Sequence, residues 1–285
     1  MDRRQYLNTM AALVAMQSSL IADTEQKGRF LPAICAYSFR KQLKDGSFSY
    51  ADLIRMAAET QSNGVDLTTY WLRDTTDDTI LPLKKLAYKS GVWIYSIGTR
   101  IKMVQPPEDR DAELESLRKW LDVAERIGAA HVRIFGGSVP AGATEDQAVA
   151  WAVEMLKRST EEAGKKGITL GIEDDTGITM DANRMLEIVK KTGSEWAGIN
   201  LDIGNFPDNA YHQIELCAPY ATNVHFKEQV HMNGREQPAD WPRILKILGA
   251  AGYEGHLALE YEPSDAPLMN VPKLIAKMRT TIAKA

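Results

Sequence analysis

From about residue 30 onward the chain repeats one unit, a short β-rich run followed by a longer amphipathic run. The β-rich runs are Leu31–Phe39, Gly64–Trp71, Val92–Thr99, His131–Gly137, Ile168–Asp174, Ala197–Gly204, Thr222–Lys227 and His256–Tyr261. The stretches between them carry apolar residues at helical spacing: Leu53, Met56 and Ala57, then Ile80–Ser90, Asp109–Ile127, Thr144–Lys166 and Asp181–Lys191. Asp181 stands where a helix N-cap is needed. Strands joined by helices run parallel, and eight such units in about 260 residues fit a closed barrel. A doubly wound open sheet would need a glycine-rich phosphate loop after its first strand. Here Arg40–Gly46 offers one glycine. The expected fold is therefore α/β, a (β/α)8 TIM barrel formed as one domain by residues 30–285.

Composition narrows the partners. A formal net charge of −4 argues against a nucleic-acid ligand, which usually demands an excess of Lys and Arg. Cys35 and Cys217 have no metal-ligand spacing and read as two buried free thiols. Residues 1–22 read differently. Arg3-Arg4, then Tyr6-Leu7, a weak apolar run from Met10 to Met16 and Leu20-Ile21-Ala22 resemble a twin-arginine export signal. The run is too short to be a membrane anchor. Periplasmic or exported location is the expectation.

Barrel enzymes carry their active residues at the C-terminal ends of the strands. Those ends offer Glu173-Asp174-Asp175 on the fifth strand, Asp202 on the sixth, His225 to Glu228 on the seventh, and Glu260 and Glu262 on the eighth. An acid inside a run such as Leu-Gly-Ile-Glu is expensive to bury unless something compensates it. A cation does so most simply; buried ion pairs to Lys227 and Arg133 are the alternative. Carboxylates with one imidazole favour Mn²⁺, Mg²⁺ or Co²⁺, with Zn²⁺ also able to bind.

The run Asp240-Trp-Pro-Arg through His256-Leu-Ala-Leu-Glu-Tyr-Glu262 resembles the last helix and strand of the xylose isomerase-like TIM-barrel superfamily. Val224-His-Phe-Lys-Glu228, Asn200-Leu-Asp-Ile-Gly204 and Ile172-Glu173 resemble its seventh, sixth and fifth strands. Its members include the sugar isomerases and epimerases of the tagatose epimerase type, which this chain resembles. The resemblance implies one divalent metal, Mn²⁺ foremost, on Glu173, Asp202, His225 and Glu260, with Glu173 and Glu260 also exchanging protons with the substrate. Asn205 departs from the pattern, since many relatives have histidine there. The third-strand end and Tyr70-Trp71 lack the extra histidines that a three-zinc, endonuclease IV-like centre needs.

Lys227 shares a strand face with His225 and could stabilise an enolate oxygen, protonate a leaving group, or pair with Glu260 or Glu262. His231 falls on the loop after the seventh strand; Trp71 and Phe135 could wall a sugar ring. His131, His212 and His256 fall at the wrong end and receive no role. Gly136-Gly137 reads as a tight turn more readily than as a phosphate cradle. The expected activity is sugar isomerisation or epimerisation by proton transfer next to a carbonyl. A 3-keto-glycoside lyase or deglycosidase, using the same proton abstraction before β-elimination, is the alternative, and a non-catalytic sugar-binding barrel a third reading. The partner is then a small sugar or glycoside. A homodimer is common for this fold, but no helix specifies a seam.

Overall fold

In the computed structural model, which describes residues 29–263 and 265–285, eight parallel strands close into a barrel surrounded by helices, a (β/α)8 TIM barrel. The strands are β1 (Phe30–Cys35), β2 (Gly64–Thr68), β3 (Trp93–Lys102), β4 (His131–Gly137), β5 (Thr169–Gly177), β6 (Ala197–Asp202), β7 (Ala221–Phe226) and β8 (Gly255–Leu259). Each pairs with its neighbour in sequence, and β8 closes the ring on β1 from Phe30↔Gly255 to Ile34↔Leu259. Residues 1–22, expected to carry an export signal, lie outside the described residues. Among the described residues no helix is long and apolar enough to cross a membrane.

The helices begin where side chains satisfy their free N–H groups. Ser49 and Asp52 form a capping box for Tyr50–Glu59, as Thr144 and Gln147 do for Glu145–Gly164. Asp181 accepts from the Arg184 N–H, as its sequence position predicts, and Asp240 accepts from that of Arg243. Apolar faces of these helices pack on the outward side chains of the strands, and most of the core lies in that layer. Inside the ring the apolar cluster is small: Ala33, Cys35, Tyr95 and Ala258, with Tyr37 against it. The rest of the interior is polar. Alternation along each strand sends one set of residues into it.

Several strand boundaries differ from the sequence expectation, the first three strands most instructively. The first and second strands stop at Cys35 and Thr68, and the aromatic-rich residues after them form 3-10 turns, Ala36–Phe39 and Thr69–Trp71. β-propensity alone does not see that the chain must leave the rim there. The third strand instead continues to Lys102. Its pairing with β4 jumps from Gly98↔Arg133 to Lys102↔Phe135, so β3 contributes four steps against two. After β7 an antiparallel hairpin, Gln229–Met232 with Arg235–Pro238, replaces the expected loop. Asn233 and Gly234 turn it with φ of 55° and 67°, the Asn-Gly signature of a two-residue hairpin turn.

Candidate metal and active site

Glu173, Asp202, His225 and Glu260 meet at the C-terminal rim of β5 through β8. They converge on one atom, His225 Nδ1. Glu173 Oε1 lies 2.8 Å from it, Glu260 Oε2 3.4 Å and Asp202 Oδ2 3.8 Å. All four side chains are buried. Ligand atoms of Glu173, Asp202 and His225 lie within 4.8 Å of one another, as do those of Cys35, His225 and Glu260. His225 Nδ1 and Asp202 Oδ2 make no hydrogen bond despite these short approaches. Oxygens crowded around a nitrogen that bonds none of them are a donor set waiting for a cation. The residues therefore fit one divalent metal.

The imidazole is oriented from below. Asp66 Oδ2, on β2, lies 3.1 Å from His225 Nε2. Holding the proton on Nε2 leaves Nδ1 a lone pair for a metal, the arrangement in which a carboxylate orients a ligating histidine. Asn223 Nδ2 donates to Asp66 at 3.0 Å and to Asn200 Oδ1 at 2.8 Å, and Asn200 Nδ2 donates to Glu173 at 2.9 Å. Tyr95 closes this chain by donating to Asn223 Oδ1 at 3.1 Å. The sequence argument missed Asp66, Asn200 and Asn223, although each is a polar residue inside a β-run, the signal that found Glu173.

Both cations of the alternative reading are also present. Arg133 Nε lies 3.3 Å from Glu173 Oε2, while its Nη1 donates to Tyr70 and to the Thr99 carbonyl. Gly98 makes room for that guanidinium: a Cβ there would stand 2.9 Å from Nη2. Lys227 Nζ lies 3.0 Å from Asp202, 3.3 Å from Glu262 and 3.7 Å from Glu260, and donates to Asn205 at 2.7 Å. Metal ligation and ion pairing are thus not exclusive, since Arg133 and Lys227 flank the donor set.

Electrostatics follow from this crowding. Burial pushes the Asp202 carboxyl well up against the pull of Lys227, and Glu260 adds to the rise. Burial also works upward on Glu260, but without an ion in the site a charged His225, together with Lys227, overcomes it and holds that carboxyl well below the usual range. For Lys227, burial is outweighed by Asp202 and Glu260, so its ammonium keeps its proton. Burial and Glu260 push the Cys35 thiol well up, although its Sγ lies 3.6 Å from Glu260 Oε1. Asp174 points to the other side of β5, where its Oδ1 accepts from the Asp202 N–H at 2.7 Å.

A cavity of 410 Å³ opens above the donor set, lined by Glu173, Glu260, Lys227, Tyr37, Tyr70 and Phe135 among others. Phe135 is a wall as expected. Trp71 is not: it stands beside Tyr37 and Tyr70, which line the cavity in its place. His231, expected on a free loop, is held in the hairpin with Nδ1 3.2 Å from the Gly204 carbonyl and does not line the cavity. His131 and His256 lie at the opposite end, where Ser96 and Tyr95 hold them. Cys35 and Cys217 are buried free thiols. Gly136 is no cradle, because a Cβ there would meet Thr179 Cγ2 at 2.3 Å.

Comparison with known proteins places this geometry in context. No curated protein sequence matches the chain. Among solved structures, a xylose isomerase-like TIM barrel protein from Mycobacterium smegmatis in complex with magnesium superposes with a TM-score of 0.69 at 17% identity, over 92% of this chain and 98% of that one. A D-psicose 3-epimerase from Clostridium cellulolyticum H10, solved with D-tagatose, gives 0.69 at 15% identity, over 89% and 97%. The probable 3-DHS dehydratase AsbF from Bacillus anthracis gives 0.67 at 14% identity, over 89% and 98%. At these identities the likeness is one of fold. A family model described as xylose isomerase-like TIM barrel matches residues 54–281, and the chain belongs to that family.

Proposed function

We propose that this protein is a divalent-metal-dependent sugar isomerase or epimerase in which Glu173 and Glu260 move the proton. The observation that carries the reading is the convergence of three carboxylates on His225 Nδ1 beneath an open cavity. A divalent ion held by Glu173, Asp202, His225 and Glu260 supplies polarisation of carbonyl and hydroxyl oxygens. Mn²⁺ suits this hard-leaning set, and a Cys35 thiol that keeps its proton adds no soft ligand.

Glu260 enters the reaction ionised and accepts the proton from the carbon next to the carbonyl. Glu173, on β5 beside Asn200 and Arg133, takes a proton from solvent and returns it from the other side of the ring, and Glu260 releases its own to solvent to close the cycle. The Lys227 ammonium, fixed by Asp202 and Asn205, lies where negative charge develops on the enolate oxygen and stabilises it. Its strong hold on the proton assigns it electrostatics rather than proton transfer. Phe135, Tyr37 and Tyr70 give the sugar ring apolar faces and exclude water.

The test is incubation of Mn²⁺-loaded protein in D₂O with free ketoses and with 3-keto-glycosides, followed by proton NMR. Deuterium entering a ketose with a new epimer or aldose supports the reading. Release of the aglycone from the keto-glycoside alone assigns the lyase instead. In Glu260→Gln an enzyme loses about 10²- to 10⁴-fold in turnover, while a sugar-binding barrel keeps its ligand. We also propose that residues 1–22 direct export and are removed; Met1 at the N-terminus of mature protein from the native host would refute this.

A further inference from the structure

We propose that the wall of the cavity carried by β3 binds an anionic group, so that the substrate is a sugar acid whose carboxylate meets Arg100 and Lys102. This rests on the sugar reading above and names the class of sugar. Arg100 and Lys102 both line the cavity, two residues apart on one strand. The Arg100 guanidinium lies over the Tyr70 ring, 3.9 Å from its centroid, which fixes its plane at the cavity mouth.

Among the described residues neither cation has a carboxylate within ion-pair distance, whereas the two other cations on the cavity are paired, Arg133 with Glu173 and Lys227 with Asp202. Of the four cations lining this cavity, Arg100 and Lys102 are the two without a carboxylate partner among the described residues. The backbone has been altered to put one there. The irregularity between Gly98 and Lys102 gives β3 two residues more than β4 over that stretch, and Arg100 is in the middle of it. Bulges beside active sites characteristically re-aim a side chain.

Position in the ring supplies the rest. β3 lies across the barrel from β7 and β8, which carry His225, Lys227 and Glu260. A sugar whose carbonyl end sits over the donor set therefore extends its far end toward Arg100 and Lys102. The remaining acids of the mouth, Glu262 and Asp175, are not paired with that wall among the described residues; Glu262 lies 3.3 Å from Lys227 instead. A carboxylate fits better than a phosphate. The guanidinium fork accepts either anion, but the nearby glycine pair that could cradle a phosphate is filled by packing, Gly136 against Thr179 and Gly137 against Val104.

The test is calorimetric titration of the Mn²⁺-loaded full chain with D-glucuronate, D-glucose, D-glucose 6-phosphate and inorganic phosphate. Glucuronate should bind about 10- to 100-fold tighter than glucose, the worth of a hydrogen bond to a charged group. In R100Q/K102Q that ratio should collapse to about one. Glucuronate no tighter than glucose, or no measurable glucuronate binding, overturns the proposal. So does a ratio that survives R100Q/K102Q, since the metal alone would then hold the carboxylate. Tighter binding of glucose 6-phosphate, with competition by phosphate, replaces the carboxylate by a phosphate ester and also overturns it. Failure of the sugar reading looks different: an intact uronate preference without deuterium exchange into any sugar leaves the anion site standing. Exchange into neutral ketoses without a uronate preference does the reverse.

Discussion

His225 is gripped from both sides, with Asp66 3.1 Å from its Nε2 and Glu173 2.8 Å from its Nδ1. The two acids have different jobs. In the proposed centre Glu173 shares the metal position, whereas Asp66, on β2, sets which nitrogen faces it. Removing Asp66 frees the ring to rotate or change tautomer. Asp66→Ala should weaken Mn²⁺ binding by about 10- to 100-fold while Glu173, Asp202 and Glu260 remain in place. Competition against a fluorescent chelator measures this, and unchanged affinity would remove Asp66 from the account.

A donor set of three carboxylates and one imidazole should make the fold respond to metal. Saturation at 100 times Kd stabilises the native state by about 2.7 kcal/mol. For a domain of this size that corresponds to a rise of roughly 5–10 °C in Tm, absent when Mn²⁺ is replaced by excess chelator. Scanning calorimetry with and without metal checks it.

The Arg133–Glu173 pair is buried on both sides, each side chain 5% exposed. Truncating the cation leaves Glu173 without its closest positive neighbour on β4. Arg133→Met should cost about 3–5 kcal/mol of stability, as breaking a buried pair from one side does. Part of that loss should return when Mn²⁺ is added, because the metal neutralises the same carboxylate. Urea unfolding in the two conditions reads both effects.

At the other end of the barrel, burial lowers His131 to about 4 and His256 to about 4. The unfolded chain takes up these protons near its ordinary pKa of about 6.5, and the folded chain refuses them until much lower pH. Stability from each neutral ring is therefore full above that value and is lost as pH falls toward 4, by up to roughly 3 kcal/mol per histidine. His131→Gln should flatten the decline between pH 6.5 and 4 in urea unfolding. An unchanged slope would show that His131 does not carry it.

Much of this was legible because a parallel barrel ties position on a strand to position in space. Once Ile172-Glu173, Leu201-Asp202, Val224-His225 and Leu259-Glu260 were read as strand ends, their meeting followed from the fold. What was illegible depends on pairing partners rather than on single strands. Nothing in Gly64-Val-Asp-Leu-Thr68 says that Asp66 will face His225, which is 159 positions later. Arg100 was hidden for another reason: the irregularity in β3 adds residues where a regular strand would have ended. Asn233-Gly234 was readable, since Asn-Gly between short β-compatible runs is a hairpin signal, but a barrel template allots that stretch to a loop.

The ring of strands also sets an order of assembly. Every residue of the donor set comes from β5 to β8, and β8 is the strand that seals the seam with β1. A nascent chain that has emerged through β7 holds Glu173, Asp202 and His225 but has an open sheet with two raw edges and no Glu260. The last ligand arrives with the strand that removes those edges. For the ion proposed here, capture and closure of the ring are then one event, and full affinity would mark a chain that has finished folding.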